Sequence, residues 1–318
     1  MRRTGRGITR LSVPLLLILL SVTACSSVQP QPFSALATST QQLRDGADAS
    51  LAVLSAQARE RFVMEAALGD GAKIQSLLLE QVQGDPFGWK TDGPVLFLQV
   101  ARFRDGVFRL NNAVNGYAQL LVQLASPDLV DAKTFDQLAK DLNGNLRDAT
   151  VTLGMTGANN KDIAIFSTIA AESARAFIES RRQSALVRVI EANQAAMVEV
   201  SAAGRSAIKR TAIALRSEYD QRSTGIANAI AGGERTSKVQ ELVDLNDRFI
   251  VQLGVLRTLD ESYSTLPRAH AELAEGLRHP KLSLDMIRQL YENGQHLYRL
   301  SQELTKAESK AKSAAGPQ

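Results

Sequence analysis

The sequence predicts an all-α protein, an elongated antiparallel helical bundle with long coiled-coil-like helices. Three observations carry that prediction. Apolar and small residues recur at three- and four-residue spacing over long stretches, the signature of one buried helical face. Aromatic residues make up only 5% of the chain, where strands would call for more. The nine prolines gather in a few places, and none falls between residues 161 and 231.

The first helix is expected over 34–82. Its stripe runs Phe33, Leu36, Thr40, Leu43, Ala47, Leu51, Leu54 and Ala58. Three glycines and two prolines between Gly84 and Pro94 end it. That loop holds the single tryptophan, Trp89. It reads either as an exposed contact for a partner or headgroup, or as an aromatic folded back to close the end of a bundle. A second helix is expected over 95–125, with Leu98, Ala101, Val107, Leu110, Val114, Tyr117, Leu121 and Leu124 on one side, and Pro127 stops it. Thr134 and Gln137 form a capping-box pattern that opens a third helix ending near Leu153.

After a Gly/Asn turn at 154–160, residues 161–231 read as one long arm. Its stripe is Leu186, Ile190, Asn193, Met197, Val200, Gly204, Ile208, Thr211, Leu215, Tyr219, Arg222 and Ile226. A continuous helix of that length would reach about 105 Å. Gly232-Gly233 ends it, and Ser237 with Gln240 suggests the next cap. That helix is expected to stop near Thr265, with a short one opened by Pro267 and closed at His279-Pro280. Leu282, Ser283 and Ile287 fit a hydrophobic staple around the N-cap of the last helix. The Lys/Ala/Ser-rich residues 308–318 read as a flexible tail. A faint echo links Pro127, Leu129, Phe135 and Leu138 to Pro280, Leu282, Ile287 and Leu290, with Tyr117 and Tyr263 in the helices before them. Duplication of a helical unit, with a boundary at 154–160, and chance similarity both account for it.

The N-terminus points to export. Arg2, Arg3, Arg6 and Arg10 precede the apolar run Leu11–Val22, the layout of a secretory signal. The run falls short of the roughly 20 apolar residues a membrane span needs. It ends on Val22-Thr23-Ala24-Cys25, and Cys25 is the only cysteine. This segment resembles the lipobox of bacterial lipoproteins. The resemblance covers only the first 25 residues. It implies cleavage between Ala24 and Cys25, acylation of the Cys25 thiol, and anchoring to the membrane through the acyl chains. Ser26 in place of an aspartate implies an outer-membrane, periplasm-facing address. The expected organisation is therefore a signal peptide over 1–24, a lipidated tether over 25–33, a helical bundle over 34–307 and the tail.

Processing changes the charge. The 37 Lys+Arg exceed the 33 Asp+Glu by the four arginines of the signal peptide, so the mature chain is formally neutral. Nucleic-acid binding loses its basic footprint. His270, His279 and His296 lack the spacing of a metal site. Glu292 and His296 lie one turn apart, but two ligands make a poor site. No phosphate loop, dinucleotide fingerprint or nucleophile elbow occurs. An enzyme is not expected, and neither a cofactor nor a metal.

The arm carries 11 Lys+Arg against 8 Asp+Glu between Lys161 and Arg235. Arg181 and Arg188 share a face, as do Arg205, Lys209 and Arg216. These residues form either an anion-binding stripe or an ordinary solvated face with interleaved acids. The leading expectation is a non-catalytic envelope scaffold or interaction protein. The alternatives are a periplasmic carrier or sensor of an apolar or anionic ligand, and a membrane-remodelling or toxin-like helical protein.

Overall fold

Five long helices carry the fold in the computed structural model: α1 (Gln31–Ala67), α2 (Leu96–Ala125), α3 (Arg182–Ala231), α4 (Arg235–Arg278) and α5 (Asp285–Ala314). The structure describes residues 30–67, 96–126, 137, 140–141, 144–149, 152–153, 182–231, 235–279 and 284–314. All the regular secondary structure among them is helical. The 50 residues of α3 span about 75 Å at 1.5 Å per residue. Residues 68–82 and 161–181, expected to be helical, lie outside the described set, as do the 84–94 loop and the 154–160 turn.

Each helix packs on the next in chain order, α5 returns to α1, and α4 also touches α1. Side-chain bonds give the directions. Asp48 meets Arg104 while Thr40 meets Asn115, so α1 and α2 run antiparallel. On α3 and α4, Gln194 reaches Pro267, Arg205 reaches Asp260 and Tyr219 reaches Asn246. That is an antiparallel hairpin, nearly symmetric in sequence about Gly232-Gly233. The exception to alternation is α1 with α5. Ser39 donates to the carbonyl of Ile287, Ser50 to that of Leu297 and Gln57 to that of Leu304. Both numbers rise together, so this pair is parallel. An up-down circuit of five helices cannot close without one parallel pair.

The parallel seam is close because two glycines meet in it. A Cβ on Gly294 would lie 2.6 Å from the backbone carbon of Gln42 and 2.7 Å from the nitrogen of Leu43. One on Gly46 would overlap the carbonyl oxygen of Gly294. Small residues let helix backbones approach in this way, and the approach lets Ser39 and Ser50 reach carbonyls of the neighbouring helix.

The expected stripes form the core. Phe33, Leu36, Thr40, Leu43, Ala47, Leu51, Leu54 and Ala58 are all buried, and so are Leu186, Ile190, Met197, Val200, Ile208 and Leu215. On α2 the face turns at its start: Val100 and Phe103 are buried, while Leu98 and Ala101 are half-buried. A short helical stretch at 144–149 adds Leu146 and Ala149 to the core, with Leu153 just beyond it.

Four expectations are corrected. First, α4 does not break at Pro267, which lies inside it. Proline leaves the carbonyl four residues back without its amide partner. That carbonyl belongs to Tyr263, and Ser201 of α3 donates a hydrogen bond to it, while Gln194 donates to Pro267's own carbonyl at 2.9 Å. Second, α4 begins at Arg235, so Ser237 lies inside its first turn and is no cap. Gln240 bonds forward to Asp244 instead. Third, α1 reaches back to Gln31 with Pro32 in its first turn, where a missing amide costs nothing, and Phe33 is fully buried. Fourth, the tail is helical as far as Ala314.

The proline repair makes a prediction. Ser201→Ala should destabilise by about 1–3 kcal/mol, because it strands a buried carbonyl. The same change in a Pro267→Ala background should cost much less, since the restored amide takes over. Denaturant unfolding of the four chains measures that coupling. Equal costs in both backgrounds would refute the repair.

The sequence echo has a spatial counterpart. Across the parallel helices α2 and α4, Asn111 pairs with Tyr263 and Tyr117 with His270, separations of 152 and 153 residues. Pro127 and Pro280 stand 153 apart in the sequence. Gln57 donates to the carbonyl of Leu304, and Arg210, 153 residues after Gln57, donates to that of Leu153. The buried positions Phe33, Leu36, Ala37, Thr40, Leu43 and Ala47 recur 153 residues on as Leu186, Val189, Ile190, Asn193, Ala196 and Val200. The buried pattern at the start of α1 therefore repeats at the start of α3. At that 153-residue offset Tyr117 falls on His270, not on Tyr263.

Candidate interaction surface

The helix directions sort the molecule into two ends. The starts of α1, α3 and α5 lie with the ends of α2 and α4 at one of them, and the end of α3 lies with the start of α4 at the other. Gln31 belongs to the first end. Some 40 residues along α3, roughly 60 Å away, the α3–α4 hairpin carries an open groove of about 520 Å³. Tyr219, Ser223, Thr224, Ala227, Val243 and Asn246 line it.

The groove has a firm floor and an apolar edge. Tyr219 stacks on Phe249 with ring centroids 4.2 Å apart, and its hydroxyl donates to Asn246 Oδ1 at 3.2 Å. The guanidinium of Arg216 lies 5.8 Å over the Tyr219 ring, within cation–π range. Along α4, Val239, Val243 and Ile250 repeat at four and seven residues and are 48%, 47% and 59% exposed. Single exposed apolar residues are unremarkable, but a stripe beside an aromatic groove makes this a candidate interaction surface.

The residues predicted as an anion stripe do not gather into one site. Arg205 forms a two-bond pair with Asp260 at 2.8 and 3.1 Å. Arg216 pairs with Asp220 one turn on at 2.9 Å. Those hydrogen bonds hold both guanidinium pKa values above the usual arginine value. Arg188 and Lys209 are exposed on α3. Arg181, Trp89, Ala24 and Cys25 lie outside the described residues. Cations that sequence spacing does not connect come together instead at the far end: Arg61 of α1, Arg222 of α3 and Arg248 of α4.

His270 has a different setting from a ligand. It is fully buried, with Nε2 2.9 Å from the Tyr117 hydroxyl and Nδ1 2.7 Å from Gln194 Oε1. Gln194 Nε2 donates to the Pro267 carbonyl, which fixes the amide orientation. Its oxygen can only accept, so the ring proton sits on Nδ1 and Nε2 accepts from Tyr117. Burial drives the imidazole pKa down to about 3. Burial likewise pushes the Tyr117 phenol well above its ordinary value, with the Asn193 side chain partly offsetting.

The expected Ser283 cap lies outside the described residues, and a long-range contact serves the first turn of α5. Glu272 of α4 accepts from the first-turn amides of α5, Met286 at 3.1 Å and Ile287 at 3.2 Å. A carboxylate at a helix N-terminus satisfies free donors and meets the dipole favourably. Among the described residues no group of three or more His, Cys, Asp or Glu could hold a metal ion. No described helix is long and apolar enough to cross a membrane. No protein family matches the chain, and no curated protein or solved structure does either.

Proposed function

We propose that this protein is a lipid-anchored, non-catalytic scaffold or interaction protein of the bacterial cell envelope. In this reading acyl chains on Cys25 hold the α1 end at the periplasmic face of the outer membrane, and the α3–α4 hairpin meets a partner protein. The observation that carries it is the polarity of the body. Gln31, six residues after Cys25 in the sequence, lies at one end, and the groove of Tyr219, Val243 and Asn246 lies roughly 60 Å away. Two or more acyl chains give stable anchoring where one gives only marginal binding. The helices between supply a stiff spacer.

Two experiments test the two halves. Labelled palmitate should enter the wild-type protein and be absent from Cys25→Ser; label persisting in that variant refutes the anchor. Val243→Glu with Ile250→Glu changes two exposed side chains, so stability should move by less than about 1 kcal/mol. Purification from solubilised envelopes should then lose the partner that accompanies the wild type. An unchanged set of co-purifying proteins refutes the groove as the contact.

A further inference from the structure

Helix α4 carries two apolar seams. The inner one, with Leu245, Phe249, Gln252, Leu256 and Leu259, advances by alternating steps of four and three residues and is buried in the bundle. An outer one keeps the same rhythm through Thr236, Val239, Val243, Asn246, Ile250 and Leu253. All of these are exposed except Leu253, which is half-buried. Alternating steps of three and four make the heptad of a coiled coil. The outer seam stops where Arg257 and Asp260 take its next two positions. It therefore covers about 26 Å of helix, and Val243 and Asn246 in it also line the Tyr219 groove.

The residue types say what the seam fits. Thr236, Val243 and Ile250 share one heptad position and are all β-branched, and Leu253 shares the other with Val239 and Asn246. β-Branched residues at the first position with leucine at the second favour two parallel strands. Asn246 separates a like occupant from an unlike one. Its Oδ1 accepts from the Tyr219 hydroxyl at 3.2 Å, and its Nδ2 can only donate. An apolar helix laid on the seam would bury that amide without an acceptor, at a cost of about 1–3 kcal/mol. A second copy in register sets Asn246 against Asn246, where Nδ2 of one meets a carbonyl lone pair of the other. A single asparagine in a seam fixes register and pairing in this way.

We infer that the outer seam of α4 is a self-association face, on which a second copy of this chain packs its own α4 parallel and in register. The inference rests on the proposed anchor and hairpin contact, and it names the partner. Copies held at one membrane surface through Cys25 stand in the same sense, so their α4 helices run parallel. Isolated helices with so short a seam pair only marginally. Here the bundle has already ordered α4, and anchoring raises the effective concentration of the copies.

Disulfide trapping in native envelopes tests this with the full chain. Cys25 is the only cysteine and, as proposed, its thiol is acylated, so one added cysteine reports alone. Val239→Cys, Val243→Cys and Ile250→Cys should each give disulfide-linked dimers of this chain on oxidation. Asp247→Cys, exposed on α4 off the seam, and Val198→Cys, 50% exposed on α3, should give at least about tenfold less, because a disulfide needs its Cβ atoms about 4 Å apart. Adding Val243→Glu to Ile250→Cys should cut the dimer at least about tenfold, since facing like charges cost several kcal/mol. Val239→Cys and Ile250→Cys chains with different tags, expressed together, report direction. Preferential joining of Val239→Cys to Ile250→Cys would mean antiparallel copies and overturn the inference. Absence of self-disulfides, with Val243 still photo-crosslinking another protein, would overturn the second copy and leave the hairpin contact standing. Failure of the anchor shows separately, as disulfides of the parent chain through an unmodified Cys25.

Discussion

Lowering the pH from 6.5 to 4 should destabilise the wild-type protein by about 1.4 kcal/mol per pH unit more than His270→Gln. The ordinary histidine pKa is 6.5 and that of folded His270 is about 3. Below pH 6.5 the unfolded chain binds a proton at this position that the folded chain refuses. Stability from this residue is therefore complete above 6.5 and falls as pH drops toward 3. The structural reason is the pairing of both ring nitrogens. Nε2 accepts from Tyr117, so a protonated ring would set two donors face to face in the core. Glutamine keeps an acceptor for Tyr117 but does not titrate. Urea unfolding of both chains between pH 4 and 7 isolates the effect, because carboxylate contributions are common to both. Parallel curves would refute the neutral buried imidazole.

The second large effect concerns the parallel seam. Gly294→Ala should destabilise by about 1–3 kcal/mol even though alanine is the better helix former by about 1 kcal/mol. The added methyl group meets backbone of Gln42 and Leu43, which cannot turn aside as a side chain can. Gly225→Ala is the matched control: it lies inside α3 with nothing within 4 Å of an added Cβ. There the propensity term acts alone, and stability should rise by about 0.5–1 kcal/mol. Opposite signs at two helical glycines, read by thermal or urea unfolding, separate close approach from intrinsic propensity. A stabilising Gly294→Ala would mean that α1 and α5 do not meet there.

Helix periodicity made most of the fold legible. The stripe from Phe33 to Ala58 and the one from Leu186 to Ile226 depend only on 3.6-residue spacing, and the structure buries the same faces. Sequence reading went astray where a distant partner overrides a local rule. Pro267 looks like a helix end until Ser201 supplies the missing donor. At the start of α5, Glu272 of another helix accepts a first-turn amide, a contact that no local pattern announces. The candidate surface was less legible still. Shared-face arithmetic grouped Arg205, Lys209 and Arg216, which are one helix's own residues. Whether a cation meets an acid across a helix boundary, as Arg205 meets Asp260, depends on tertiary register. Arg61, Arg222 and Arg248 lie on three helices, so no spacing within the sequence links them.

The anchored end and the presenting end are the centre of this account, and photo-crosslinking in the native envelope tests them most directly. A photoreactive residue at Val243, beside the groove, is compared with one at Val198, which is equally exposed on the first half of α3. The account predicts a discrete protein adduct from Val243 and none from Val198, identified by mass spectrometry. Adducts to lipid alone, or the same adducts from both positions, would contradict it.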